Sequence, residues 1–249
     1  MELSEKIQQS IQIIRQYEKY ANMWSGGYTV CFSGGKDSQV LLDLFKKSGV
    51  KYTPIYRCTT NDPPENVQFI RKYYPEVKFI LPQRNFLQLI EDNNMLPTMN
   101  KRFFCRILKE SNNKGFTATG VRKEESTKRG KYQNLDFRHK DQTKRTFSID
   151  NIKTSSIINF RPILDWTEAD VWQYIDDNNI PINPCYEHTG RVGCLFCPFQ
   201  NKITLNYYSK QYPRYFKLLL RSIQHIINHG YLSQFNKNNQ LTPTKVWEW

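Results

Sequence analysis

Apolar positions along the chain follow two periods. Tyr28–Phe32 is a short run of aromatic and β-branched residues, the composition of a buried strand, and Gly34 and Gly35 break it. From Asp37 the period lengthens, and Val40, Leu41, Leu44 and Phe45 recur at three- and four-residue steps as on one helix face. Lys51–Arg57 predicts a second strand, Cys58–Glu65 a polar turn, Asn66–Tyr74 a helix and Val77–Leu81 a third strand. Short helices are expected at Phe86–Asp92 and Phe103–Ser111, a fourth strand at Phe116–Thr119, and strand character at Ile157–Leu164. Thr167 is a fitting N-cap for a helix that buries Val171, Trp172 and Ile175. Beyond Gln200 the pattern is helical, with Leu218, Leu219, Ile223, Ile226 and Ile227 as an apolar stripe. Strands alternating with helices predict an α/β fold: a mostly parallel, doubly wound sheet with ligands at the carboxyl ends of its strands and helical additions at both ends. The expected organisation is an N-terminal helix over 1–22, an α/β domain over 23–200 and a helical extension over 201–249.

The 249 residues suffice for one α/β domain with additions or two small domains. A net charge of +13 favours an anionic partner such as nucleic acid, nucleotide or an acidic protein, although an ordinary basic surface accounts for the same number. Between Arg122 and Arg145 stand nine Lys or Arg against four Asp or Glu with few apolar residues, which reads as a mobile loop. Met1–Ala21 sets Leu3, Ile7, Ile11, Ile14 and Tyr17 at helical spacing among charged residues, an amphipathic helix and not a signal peptide. No run approaches the roughly 18 apolar residues of a membrane span. A cytoplasmic protein without membrane partners is therefore expected, in which six cysteines read as metal ligands, catalytic thiols or core residues.

Three stretches carry candidate chemistry. Ser33-Gly34-Gly35-Lys36-Asp37-Ser38 joins a strand to a helix; the glycines let a ligand approach the backbone, the helix start offers N–H groups, and Lys36 adds charge, so the turn suits phosphate. It is not a Walker A loop, since Val30 and Asp37 stand where that motif needs Gly and Ser or Thr. Gly120-Val-Arg-Lys-Glu-Glu-Ser-Thr-Lys-Arg129 follows a predicted strand, and Arg122 and Arg129 can pair with terminal phosphate or sulfate oxygens; the competing reading is a solvated charged loop. Cys194 and Cys197 form a Cys-x-x-Cys knuckle, with Cys185 nine residues before it and Cys105 far upstream; four thiols match a structural Zn2+ or a [4Fe-4S] cluster. Cys31 reads as core and Cys58 as a structural strand-end residue rather than a catalytic thiol. His225 and His229 read as a solvated or core face.

Ser-Gly-Gly-Lys-Asp-Ser directly after a strand resembles the PP-loop of the ATP pyrophosphatase superfamily, and Gly-x-Arg-x-x-x-Ser-x-x-Arg is similar to the substrate-anion segment of its phosphoadenosine phosphosulfate (PAPS) reductase branch. Thr60-Asn-Asp-Pro-Pro-Glu65, Arg161-Pro-Ile-Leu-Asp-Trp-Thr-Glu-Ala-Asp-Val-Trp172 and Ile180-Pro-Ile-Asn-Pro-Cys-Tyr186 resemble further segments of that branch, in its order. The resemblance implies an adenine nucleotide alpha hydrolase-like fold that binds ATP or PAPS through Ser33, Gly34, Gly35, Lys36, Asp37, Ser38, Thr60, Gly120, Arg122 and Arg129, with Lys36, Asp37 and Arg122 catalytic and Asp37 a ligand for Mg2+. It favours a [4Fe-4S] cluster over zinc at Cys105, Cys185, Cys194 and Cys197, although Phe104 replaces the first cysteine of the family's Arg-x-Cys-Cys-x-x-x-Lys ligand segment. The reductases attack with a thiol in a C-terminal tail, and here no cysteine follows Cys197. Tail-less relatives imply instead that ATP is cut to AMP and pyrophosphate for sulfur transfer, with DNA or RNA held by Lys123–Arg145 and a cysteine desulfurase or another sulfur or electron donor as partner. A sulfonucleotide reductase using an atypical thiol, and a non-catalytic nucleotide-binding module, are the alternatives.

Overall fold

The computed structural model of the chain describes residues 1–110, 115–138, 157–231 and 242–248. In chain order these form helices α1 (Leu3–Gln16) and α2 (Glu18–Ser25), strand β1 (Tyr28–Cys31), α3 (Lys36–Ser48), β2 (Tyr52–Arg57), α4 (Pro64–Tyr73), β3 (Lys78–Ile80) and α5 (Phe86–Asp92). Then come α6 (Phe103–Cys105), which continues as a π-helical turn (Arg106–Glu110), β4 (Gly115–Ala118), two 3-10 turns, β5 (Leu135–Arg138) and β6 (Ile157–Phe160). Helices α7 (Glu168–Asp177), α8 (Cys185–Thr189), α9 (Lys202–Gln211), α10 (Pro213–Asn228) and α11 (Pro243–Glu248) complete it. No helix among the described residues is long and apolar enough to cross a membrane. The chain divides into two compact units, residues 1–57, 64–80 and 112–192 forming the first and residues 58–63, 81–111 and 193–249 the second.

The first unit is built on a six-stranded sheet in the order β3-β2-β1-β4-β6-β5. All neighbours are parallel except β5, which runs antiparallel to β6. The α/β expectation is thereby met. From β1 the chain steps outward to β2 and β3 and then resumes at β4 on the other side of β1, so the strand order reverses between β1 and β4. In open α/β sheets the crevice at such a reversal is where ligands bind.

Tyr28 anchors the core of this unit. Its ring stacks on Phe160 at 5.6 Å between centroids and meets Phe45 and Phe116 edge-on, and its hydroxyl donates to the Ile14 carbonyl at 2.7 Å. Val40, Leu41, Leu44 and Phe45 on α3 are fully buried, as their spacing predicts; each such side chain stabilises the fold by roughly 1.5–3 kcal/mol. Cys31, half-buried in β1, has its thiol pushed up to about 11 by desolvation, against an opposing pull from Arg57, as suits an inert packing residue.

Three expectations are corrected. The single helix expected over Met1–Ala21 breaks at Tyr17, whose ring turns to pack against Phe116 and Phe160. The stretch expected as a mobile loop from Arg122 to Arg145 is ordered through its described part, residues 122–138. Leu135–Arg138 extends the sheet as β5, and Asp136 is held by Arg161, itself 6% exposed, at 2.8 Å. The excess of charge conceals a four-residue edge strand because charged side chains are tolerated, and useful, on a sheet edge. The strand expected over Ile157–Leu164 ends at Phe160, where Arg161 turns its guanidinium back to the Gln133 carbonyl at 2.8 Å.

The second unit packs α5, α6 and α10 around Phe86, Leu89, Ile90, Phe104, Leu219, Ile223, Ile226 and Ile227. The expected stripe on α10 is narrower than the sequence pattern suggests: Leu218 is 44% exposed, and Ser222, whose hydroxyl donates to Glu91 at 2.6 Å, stands on the buried face instead. Leu218 lies one residue, or about 100° around the helix, before Leu219 and so falls outside the stripe. His225 and His229 stack on the exposed side. The side chain of Trp247 and the whole of Trp249 lie outside the described residues, as do Lys140, Lys144 and Arg145 of the basic stretch.

Candidate active site

The turn between β1 and α3 is held by side chains from three later segments of the first unit. Ser38 accepts from the Ser33 N–H at 3.1 Å and donates to the Gly35 carbonyl at 2.7 Å, closing the loop on itself. The Asn66 amide donates to the Ser33 carbonyl at 3.1 Å, and the fully buried Asn183 donates both to the Gly34 carbonyl at 3.0 Å and to Asn66 Oδ1 at 2.7 Å. Gly34 has φ +80, and a Cβ there would lie 2.2 Å from Asn66 Oδ1. The conformation and the closeness both require glycine.

Asn183 also accepts from the Cys185 N–H at 3.0 Å, so one buried amide links the glycine turn to the start of α8. Asn183→Ala leaves the Gly34 carbonyl, Asn66 Oδ1 and the Cys185 N–H without their partner. We expect a loss of about 2–4 kcal/mol in urea denaturation, in keeping with two or more buried groups left unsatisfied.

Lys36 opens α3 with a side chain only 13% exposed. Its ammonium lies 3.2 Å from Glu168 Oε1 and 3.7 Å from Asp37 Oδ2, and within 6 Å of the ring centres of Trp172 (5.7 Å) and Tyr186 (5.8 Å). Hydrogen bonding to Lys36 holds the Glu168 carboxyl below its ordinary range. The Lys36 N–H donates to the Tyr186 hydroxyl at 2.9 Å, and burial pushes that phenol up to about 12.

Arg122 is 3% exposed. Its Nε donates to Asp37 Oδ1 at 2.6 Å and its terminal nitrogen to Glu124 at 2.8 Å, while Glu124 also accepts the Glu168 N–H at 2.6 Å. Burial is the largest single influence and opposes the guanidinium charge, but Asp37 and Glu124 together outweigh it and Arg122 is held above its usual value. Gly120 lets this segment approach α3, since a Cβ there would sit 2.7 Å from the Asp37 carbonyl oxygen. Two cations and three carboxylates thus meet beside the glycine turn.

Of the residues expected at the site, Ser33, Gly34, Gly35, Lys36, Asp37, Ser38, Gly120 and Arg122 come together. Arg129 pairs with Glu125. Thr60 belongs to the second unit, where its hydroxyl accepts from the Phe86 N–H at 2.8 Å and its carbonyl from the Tyr215 hydroxyl at 2.9 Å. Asn66, Glu168, Trp172, Asn183 and Tyr186 were not singled out for the site by local pattern. Four of them lie in the two segments around 161–172 and 180–186 that stand out in the sequence, but nothing local says that Asn183 reaches back 149 residues to Gly34.

In the second unit the knuckle is tied to the segment after β2. The Leu195 N–H donates to the Asn61 carbonyl at 2.7 Å, the Phe196 N–H to Asn61 Oδ1 at 3.3 Å, and Thr59 Oγ1 lies 3.7 Å from Cys194 Sγ. Burial pushes the Cys105 thiol up to about 11, Cys194 and Cys197 push the same way, and Lys109 and Arg102 oppose them. Cys194 first, then Asp62 and Cys105, raise the Lys109 ammonium against its desolvation. Cys105, Cys194, Cys197 and Lys109 are therefore electrostatic neighbours. Cys185 stands in the first unit at the start of α8, 5% exposed, its thiol pushed up to about 12 by burial and by Glu65. No disulfide links any of the six cysteines, and among the described residues no three His, Cys, Asp or Glu side chains converge as a single metal ion needs.

Comparison with known proteins places these features in a family. The phosphoadenosine phosphosulfate reductase domain model matches residues 27–200. An uncharacterized protein of Methanocaldococcus jannaschii is 30% identical over 201 residues, covering 76% of this chain and 46% of that protein. Sulfate adenylyltransferase subunit 2 of Geobacter metallireducens is 30% identical over 200 residues, covering 72% of this chain and 65% of its own. The chain thus spans about half the length of the first relative and just under two thirds of the second. In fold it is similar to Candida glabrata FMN adenylyltransferase in complex with FAD and inorganic pyrophosphate, with a TM-score of 0.51 and 16% identity over 77% of this chain and 62% of that one. The matched span runs from just before β1 through the glycine turn, Arg122 and Asn183 to the Cys-x-x-Cys knuckle, and by that match the chain belongs to the phosphoadenosine phosphosulfate reductase family of PP-loop proteins.

Proposed function

We propose that the chain is an enzyme that binds an adenine nucleotide on the Ser33–Ser38 turn and acts at its α-phosphate, converting ATP to AMP and pyrophosphate through an adenylylated acceptor. The observation that carries this reading is Gly34, held at φ +80 with no room for a side chain, at the sheet's strand reversal and two residues before a largely shielded Lys36. An acceptor oxygen forms a bond to the α-phosphorus as the bond to the bridging oxygen breaks, and the electron pair leaves with pyrophosphate; a sulfur nucleophile, or water where none is supplied, then bonds to the acceptor atom that carries this oxygen, and AMP departs with the oxygen and the bonding pair. Lys36 stabilises the charge gathering on the phosphate oxygens. For this it exchanges Glu168, whose side chain is 60% exposed and free to turn into water, for phosphate. Arg122, buried and bound at two nitrogens, stays with Asp37 and Glu124 and positions Asp37 instead of reaching a terminal anion.

Asp37 fits a Mg2+ poorly, because one of its oxygens is bonded to Arg122 and the other faces Lys36. The thiols of the second unit fit a cluster better. Three of them share one neighbourhood with a lysine, and the buried Asn61 Nδ2 beside the knuckle has no hydrogen-bond acceptor among the described residues. Such a donor suits a thiolate or sulfide. Cys105, Cys194 and Cys197 would hold a [4Fe-4S] cluster, and iron there would bind and activate a sulfur atom destined for the acceptor.

Support for adenylyl chemistry comes from the relative named as a sulfate adenylyltransferase subunit. A reductase reading draws on the family's name, but Cys185, with its thiol raised to about 12, is a poor nucleophile near neutral pH. Nucleic acid as the acceptor rests on the net charge of +13, tempered by the carboxylate partners that Arg122, Lys123 and Arg129 already have. A cysteine desulfurase would be the matching sulfur donor.

The test is product identification by chromatography after anaerobically purified protein meets Mg-ATP, or PAPS plus a dithiol, each with and without DNA or RNA. AMP and pyrophosphate are expected from ATP, most strongly with nucleic acid present. Sulfite and adenosine bisphosphate from PAPS would replace this reading by a reductase, and tight nucleotide binding without product by a binding module.

A further inference from the structure

We infer that the fourth thiol of the metal site is Cys58, and that Cys185 is no part of it. The inference rests on the metal reading just given and deepens it by naming the ligand set.

Four of the six cysteines, Cys58, Cys105, Cys194 and Cys197, lie in the second unit, whereas Cys31 and Cys185 lie in the first. A four-thiol site assembled within one compact unit needs the first four and no other. The family's ligand segment would have a thiol at position 104, but Phe104 is 1% exposed and packs edge-on against Phe86 at 5.3 Å, committed to the apolar core. A ligand lost there must come from elsewhere in the unit.

The segment that begins at Cys58 is bound to the knuckle along its length. Thr59, the next residue, is fully buried with Oγ1 3.7 Å from Cys194 Sγ, and Asn61 receives the N–H groups of both residues between the two knuckle cysteines. Tyr215 fastens the same segment by donating to the Thr60 carbonyl at 2.9 Å, and its phenol is pushed up by burial, then by Asp62, Cys194 and Cys58. One phenol thus feels a knuckle thiol and Cys58 together. The unmatched Asn61 Nδ2 lies in this segment, and Lys109 and Arg102 supply the positive charge that a dianionic four-thiolate site requires. Cys185, in contrast, is buried at the foot of α8 with Asn183 on its N–H and Glu65 as its charged neighbour.

The experiment uses the full chain, purified anaerobically and reconstituted separately with iron plus sulfide and with zinc. Bound metal is measured in the wild type and in Cys58→Ser, Cys105→Ser and Cys185→Ser, with circular dichroism to confirm folding. Cys58→Ser and Cys105→Ser should each lose metal about tenfold or more, since even supporting residues outside the ligand set cost 10–100-fold in affinity when removed. Cys185→Ser should retain it. In the wild type, alkylation mapped by mass spectrometry covers the case in which Cys58→Ser fails to fold: the half-exposed Cys58 should react after chelator treatment and resist before it. Cys58→Ser retaining metal, Cys185→Ser losing it, or Cys58 alkylated equally in both states would each overturn the assignment. A wild type that takes up neither iron nor zinc would instead end the metal reading on which it stands.

Discussion

Lys36→Ala should lower nucleotide turnover by about 10²–10³-fold while leaving the fold in place. The rate effect is that of removing one charged donor from phosphate oxygens in a largely water-excluded site. The fold survives because the partners released are not stranded. Glu168 is 60% exposed and regains water, and Asp37 keeps its bond from Arg122 at 2.6 Å. Losing a pair whose carboxylate returns to water costs about 1 kcal/mol, so urea midpoints of variant and wild type should lie close together. Steady-state turnover measured beside urea denaturation checks both halves, and full activity in the variant would remove Lys36 from the mechanism.

Gly34→Ala should do the opposite, damaging the loop before any chemistry is reached. An L side chain at φ +80 costs about 1 kcal/mol, and its Cβ would lie 2.2 Å from Asn66 Oδ1, nearer than any unbonded carbon and oxygen can sit. Asn66 cannot swing aside cheaply, because its amide bonds the Ser33 carbonyl and its oxygen accepts from Asn183, both inside the first unit. We expect a loss of about 3 kcal/mol or more in urea denaturation. Nucleotide binding by calorimetry should fall at least tenfold, because the turn can no longer hold its shape. A variant as stable as wild type and still binding nucleotide would show that the turn's conformation is not what receives phosphate.

The two substitutions separate charge from shape. Lys36 acts through its ammonium and Gly34 through the absence of a side chain, so one should change rate at constant stability and the other stability together with binding.

Much of this protein is legible in local pattern. The strand-turn-helix from Tyr28 to Phe45 follows from a short apolar run of aromatic and β-branched residues, two glycines and a period-3.6 face, all encoded within 18 residues. The strands near 52–57, 78–80, 115–118 and 157–160 were legible for the same reason, each being a short apolar run between polar turns. The edge strand Leu135–Arg138 was not, because its dense charge reads as loop until β6 and Arg161 give it a pairing partner and a counter-charge. The break at Tyr17 was hidden similarly, since helical spacing continues through it and only packing on Phe116 and Phe160 selects the bend.

At the site, features that depend on residue type and short spacing were readable: a glycine turn after a strand, a lysine at a helix start, two cysteines three apart. Family membership followed from the order of such motifs. What each charge does was not readable, because that depends on partners far away in the chain. Local pattern does not show that Arg122 is buried between Asp37 and Glu124, that Thr60 bonds to Phe86 and Tyr215, or that Asn183 reaches back to Gly34. Short motifs encode the groups a protein can use; folding alone sets their neighbours, and neighbours determine whether a charge is free to meet a ligand or is already satisfied.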